Sequence, residues 1–187
     1  SYSDIMGALV EFAYQTDNRA GYPNASPGTA DWLMGEDAWG PTVNDFLRDM
    51  RDPQRGAQPS YYHGTYWYTG SGDNGGVHTN SGVQNHAFYL LAEGCSGSCV
   101  NDGHSYDPIT GIGIADAGEV AMYANMNLLT SNAQYSDARQ AWIDAATALG
   151  HPTATVEAVW DAVGVEPPPP PCENPIFEET FDTFPPA

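Results

Sequence analysis

Residues 167–171 are five consecutive prolines, entered through Glu166, and they limit the fold of this chain more sharply than anything else in it. Proline fixes φ and removes an amide donor, so such a run can sit neither inside a helix nor in the middle of a sheet. It favours a stiff, extended spacer. The chain is therefore expected to divide into a folded unit over residues 1–165, a linker over 166–171 and a tail over 172–187. In the tail, CENPIFEETFDTFPPA, Ile176, Phe177 and Phe181 alternate with acids, which reads as the opening strand of an appended, incomplete β-sandwich.

Ahead of the linker, apolar residues recur at helical spacing. Ile5, Leu9, Phe12 and Ala13 form such a stripe over residues 3–15, widened by Met6 and Val10, and predict a buried helix. Further helical patterns cover 81–93, 115–129, 135–149 and 153–163, separated by loops holding Gly94, Gly103, Gly111, Gly150 and Pro152. Residues 16–72 are different. They are rich in Gly, Pro, Asp, Asn and Tyr with few periodic runs, and irregular segments of that length are usually functional or pinned by an ion. The expected fold class is mainly α, about five helices with one long irregular segment.

The chain holds 24 acidic residues against five basic ones, all arginine, for a formal net charge of −19. A nucleic-acid partner is excluded by the lack of any basic patch to meet a polyanion. There is no signal peptide and no apolar run of 18 residues, so nothing here targets or spans a membrane. An acidic surface keeps a protein soluble at high ionic strength, which suits a secreted, salt-adapted protein. Cys95 and Cys99 bracket Ser-Gly-Ser, small residues that allow a short disulfide in an oxidising compartment. A metal site or free thiols are the alternatives, although no second Cys or His pair has zinc-ribbon spacing. Cys172 has no evident partner in the chain.

The chemistry concentrates in residues 73–82, DNGGVHTNSG. Asp73 and His78 lie five residues apart with Gly75 and Gly76 between them, so the backbone can fold back and bring carboxylate to imidazole. A carboxylate held there fixes the ring's tautomer. Taken alone, the same residues also fit a solvated turn. Arg48 stands out among few cations, with Asp45, Asp49 and Asp52 close enough in sequence to pair with it. The aromatic run Tyr61, Tyr62, Tyr66, Trp67 and Tyr68 could stack against a ligand or pack beneath the histidine loop.

Taken together, these strings resemble the thermolysin-like zinc metallopeptidases, and the resemblance covers about residues 1–165. SDIMGALVEF at 3–12 is similar to the family helix that carries the third zinc ligand, and DWLMGED at 31–37 to its calcium-binding segment. FLRDMRDP at 46–53 resembles the stretch with the substrate-binding arginine, YTGSGDNGGVHTNSG at 68–82 the histidine loop, and DAVGV at 161–165 the domain end. The resemblance implies that His78, oriented by Asp73, hydrogen-bonds the oxyanion formed when water attacks a peptide carbonyl. It implies that Arg48 holds a substrate carbonyl beside Leu47. Glu11, Asp31 and Glu36, with the Leu33 carbonyl, would bind one calcium ion; Thr29 stands where relatives with a second calcium offer an asparagine.

The zinc site itself is not in this chain. No HExxH string occurs, and the glutamate of the family pattern NExxSD would fall immediately before Ser1, leaving Asp4 as the acid that accepts a hydrogen bond from a zinc-bound imidazole. What the resemblance implies is therefore the C-terminal helical lobe of a secreted zinc endopeptidase, truncated at its start and inactive without its N-terminal lobe. Zinc and calcium would be the cofactors and a protein or peptide the substrate. The alternative is a non-catalytic, calcium-stabilised secreted binding module. His63, His78, His86, His104 and His151 offer no HxxxH pair in either case.

Overall fold

The computed structural model describes residues 1–17, 29–36 and 46–169. The tail from residue 172, with Cys172, and Asp45 lie outside these residues, so the expectations for them rest on the sequence alone. Five long helices carry the described fold: α1, Tyr2–Tyr14; α2, Gly82–Glu93; α3, Ile114–Asn127; α4, Tyr135–Leu149; and α5, Thr153–Ala162. Each falls within two residues of the pattern that predicts it.

Local chemistry explains the boundaries. α4 opens on a capping box, in which the Gln134 amide N–H donates to Asp137 at 2.8 Å while the Gln134 side chain accepts from the N3 backbone. It closes on Gly150, whose left-handed backbone serves as the C-cap. α5 begins directly after Pro152, which cannot continue a preceding helix.

α2 is the central element. Ten of its 12 residues are buried, Gln84, Asn85 and His86 among them, so it is enclosed on every side rather than amphipathic. Around it Phe88 meets Trp142 edge-on at 6.5 Å, and Trp142 meets Trp160 at 5.1 Å. Both tryptophans are fully buried, and truncating such a ring to alanine costs about 3–5 kcal/mol. Trp32 carries the same packing into the irregular segment, with Phe12 at 5.0 Å, Tyr89 at 5.3 Å and Phe88 at 6.0 Å.

The strands are short. β1, Thr16–Asp17, pairs in parallel with β2, Thr29–Ala30; β3, Leu33–Met34, pairs antiparallel with β4, Arg48–Asp49, in the register Leu33 to Asp49 and Met34 to Arg48. β5, Gly94–Cys95, pairs with β8, Ile109–Thr110, and β6, Cys99–Asn101, with β7, His104–Tyr106, both antiparallel. Cys95 and Cys99 form a disulfide between β5 and β6. The expected long irregular segment is thus, where described, a set of turns and two-residue ladders tied to the helices by Trp32 and Met50. Arg139 fastens the end of the unit, donating to Asp161 at 2.5 Å and to the Val165 carbonyl at 2.6 Å. No described helix is long and apolar enough to cross a membrane.

Candidate functional site

Asp73, Asn74, Gly75 and Gly76 all have positive φ, at 50°, 48°, 82° and 88°. They form one left-handed turn, closed by Val77 N–H donating to the Asp73 carbonyl at 2.9 Å. L-residues resist this conformation; Asn and Asp tolerate it best after glycine, so D-N-G-G is a sequence suited to it. The turn reverses the chain and points the Asp73 carboxylate back at the residues that follow. Asp73 accepts from His78 Nδ1, from the His78 amide at 2.9 Å and from the Thr79 amide at 3.2 Å.

The hydrogen bond from His78, ahead of the backbone donors, holds the Asp73 carboxyl below its ordinary value. An ionised carboxylate can only accept, so the proton on this edge of the ring belongs to Nδ1. Nε2 is left facing outward on a side chain that is 73% exposed. The sequence expectation that carboxylate and imidazole meet is met in the structure. Beside the turn opens a cavity of about 540 Å³, lined by Asn74 to Val77 on one side and by Tyr62, Trp67, Gln84 and Tyr135 among others.

Arg48 lies elsewhere than its neighbours in sequence suggest. Its Nη1 is 3.2 Å from Asp4 Oδ1, across 44 residues, and not on Asp49 or Asp52. Asp49 is committed to Arg55 at 2.5 Å and to the amides of Arg51 and Asp52. The second oxygen of Asp4 accepts from Asn85 Nδ2 at 2.7 Å. Asp4, Arg48 and Asn85 therefore form one polar cluster between α1, β4 and α2, with a buried Arg48 Nε that has no partner. Leu47 next to it is 49% exposed.

Glu11, Asp31 and Glu36 come together. One carboxylate oxygen from each lies within 4.8 Å of the others, and Asp31 and Glu36 are buried. The backbone folds round them: the Asp31 amide donates to Glu11 at 3.1 Å and the Leu33 amide to Asp31 at 2.8 Å. Among the described residues this is the sole group of three metal-competent side chains. All three are hard oxygen donors, the set that fits calcium. A catalytic zinc, by contrast, takes three protein ligands with imidazole or thiolate among them, and no such set occurs among the described residues.

The aromatic run divides. Trp67 packs on Tyr62 at 4.9 Å and stacks on His63 at 4.7 Å; Tyr61 stacks on His104 at 4.1 Å; Tyr66 is 51% exposed. Asn80, Asn85 and Tyr135 were not singled out by the sequence, yet all three hold the site: Tyr135 Oη donates to the Asn80 carbonyl at 2.6 Å. Burial pushes the Tyr135 hydroxyl far above its usual range, so it stays a donor.

Comparison of the sequence with known proteins matches it to one group. Residues 1–165 match the family model described as thermolysin metallopeptidase, alpha-helical domain. The chain is 38% identical to a bacillolysin of Brevibacillus brevis over 171 residues, covering 89% of this chain and 28% of that protein. It is 41% identical to a bacillolysin of Bacillus cereus over 168 residues, 87% of this chain and 26% of the other. With a thermolysin of Alicyclobacillus acidocaldarius subsp. acidocaldarius the identity is 40% over 168 residues, 87% of this chain and 27% of the other. The chain spans little more than a quarter of the length of these relatives.

Proposed function

Since the chain belongs to the thermolysin metallopeptidase family, as its α-helical domain, we propose that it is the helical lobe of a secreted zinc endopeptidase and works on a peptide substrate. The observation that carries this reading is the Asp73–His78 pair, set on a left-handed turn with the outer ring nitrogen free to meet a ligand. Zinc, held by residues outside this chain, would polarise the attacking water and the scissile carbonyl. The chain's own part is positioning and charge.

With both ring nitrogens protonated, His78 donates from Nε2 to the oxygen that gains charge as the carbonyl becomes tetrahedral, and Asp73 steadies the ring from behind. Arg48, anchored on Asp4, aims its remaining donors at a substrate carbonyl near Leu47. Asp4 keeps lone pairs beyond those used by Arg48 and Asn85, enough to accept from an imidazole that ligates zinc. Glu11, Asp31 and Glu36, with the Leu33 carbonyl, hold one calcium ion that orders the irregular segment.

The test compares the chain alone with the same chain joined to the coding region upstream of it. Chelator-sensitive hydrolysis of casein is expected only from the longer protein. Zinc-dependent hydrolysis by the chain alone removes the proposal, and no hydrolysis by the longer protein with zinc supplied removes it in favour of the calcium-stabilised binding module.

A further inference from the structure

The turn that carries Asp73 is wrapped round the ring of Tyr68. A Cβ added at Gly70 would lie 2.5 Å from Tyr68 Oη, one at Gly72 would lie 2.6 Å from the same atom, and one at Gly76 would lie 2.9 Å from Tyr68 Cδ1. Tyr68 Oη accepts from the Gly72 amide at 3.1 Å. The ring is thus the floor on which the loop lies.

The base of the loop is closed by Asn80. Its Oδ1 accepts from the Tyr68 amide at 2.9 Å and its Nδ2 donates to the Tyr68 carbonyl at 3.0 Å. This reciprocal pair imitates one rung of an antiparallel ladder across 12 residues. Asn80 is 8% exposed, its own amide donates to the Gly76 carbonyl at 2.7 Å, and its carbonyl is held by Tyr135 Oη. Tyr135 stands at the first position of α4 and packs on Trp160. A continuous path of contacts therefore runs from the tryptophan core through Tyr135 and Asn80 to Tyr68 and the turn.

The acid and imidazole have nothing comparable of their own. The hydrogen bonds of Asp73 come from His78 and Thr79 within the loop, and the His78 side chain is largely exposed. Two of the four left-handed residues, Asp73 and Asn74, are not glycine, and such residues persist only where the surroundings over-determine them. We infer that Tyr68 and Asn80 are positioning residues, which hold the left-handed turn and so fix the direction of His78 Nε2. The claim rests on the reading of His78 as the oxyanion donor.

The experiment uses the intact, zinc-loaded protein and a double-mutant cycle. Tyr68→Ala is expected to lower kcat by on the order of 10-fold to 100-fold, as small displacements of a reacting group do, with KM and zinc content little changed. In a His78→Ala background the same substitution should cost nothing further, because a group that acts through His78 has nothing left to act on. Equal losses in both backgrounds, or no loss in either, overturn the inference.

Gly72→Ala gives a second arm should Tyr68→Ala not fold. Its Cβ would clash with Tyr68 Oη alone, the next atom, Cζ, being 3.7 Å away. Gly72→Ala should therefore lower kcat, and Tyr68→Phe in that background should restore it; failure to restore overturns the inference. If His78→Ala itself keeps full turnover, the oxyanion reading falls by itself. The positioning claim is then decided by the low-field Nδ1 proton signal of His78, whose loss in Gly72→Ala supports it and whose persistence there overturns it.

Discussion

Asp73 on its left-handed turn and the trio of Glu11, Asp31 and Glu36 are two carboxylate sites whose charges are met in different ways. Asp73 faces an imidazole five residues on and two amides of its own loop. The trio gathers acids from α1, from the residue after β2 and from beyond β3, with oxygens within 4.8 Å of one another. Like charges that close repel, and a hard cation seated among them turns repulsion into cohesion. One region is completed by a side chain from its own neighbourhood. The other is proposed to be completed by an ion, and its acids are up to 25 positions apart in the chain. The catalytic proposal belongs to the first region and the stability proposal to the second.

Calcium withdrawal tests that division with the largest expected effect. An ion bound only to the folded form stabilises by about 4 kcal/mol at a thousandfold excess over its Kd. In the intact protein, chelation with EGTA or Glu11→Gln should open residues 29–36 to proteolysis before the helical core. Limited proteolysis with and without calcium, read by mass spectrometry, gives the cleavage order. Identical maps would remove the calcium site and, with it, the contrast between the two regions.

His78→Ala probes the other side. Loss of one oxyanion donor lowers turnover by on the order of 100-fold to 1000-fold. The loss should fall on kcat rather than on KM, because the donor meets charge that develops in the transition state. Zinc content and the calcium-dependent cleavage map should not change. Loss of zinc, or full turnover, would show that the exposed imidazole is not the donor.

His86 belongs to neither region and gives acid a separate point of attack. It lies on α2 shortly after the histidine loop, and its Nδ1 meets the Met50 carbonyl at 3.3 Å, next to β4. Burial lowers its pKa from 6.5 to about 4. As pH falls below 6.5 the unfolded chain takes up this proton while the folded protein does not. Stability is therefore full above 6.5, declines down to about pH 4 and then levels, a loss of about 3 kcal/mol. His86→Gln should abolish that decline. Urea midpoints at pH 7 and pH 4.5 measure it, and an unchanged slope in the variant would clear His86 of the role.

Much of the fold could be read in the chain because periodicity and caps are local. α4 matches its pattern over 135–149 to the residue, and Gln134, Asp137 and Gly150 mark its ends in the structure. α3 was expected to reach residue 129 but ends at Asn127. The reason is that Leu128 and Leu129 both donate to the Ala124 carbonyl, so the apolar pattern outlasts the helix. The site follows the same rule. Asp73 and His78 are legible because they lie only five positions apart with two glycines between them. Arg48 pointed to its sequence neighbours, whereas its partner is Asp4. Asn80 and Asn85 looked like ordinary loop and helix asparagines, since their partners lie 12 and 81 residues away. Which of many acids gather round an ion is equally a matter of tertiary distance, and here it was the family resemblance, not spacing, that singled out Glu11, Asp31 and Glu36.

The smallest expected effect separates orientation from charge within the histidine loop. Asp73→Asn keeps the size of the side chain and an oxygen that can accept from the His78 and Thr79 amides, so the left-handed turn should survive. What is lost is the negative charge behind the ring. If Asp73 only steadies His78, turnover should fall by less than in His78→Ala, and the two substitutions together should cost no more than His78→Ala alone. The folded-state carboxyl is held below 3.8, so its contribution to stability is present above that value and is lost as pH falls through the lowered one. Asp73→Asn should remove this most acidic part of the stability profile and leave the decline between 6.5 and about 4, which belongs to His86, in place. A turnover loss as large as that of His78→Ala would instead give the carboxylate a direct part in the chemistry, and the exposed loop would then be a two-residue device rather than one donor with a support.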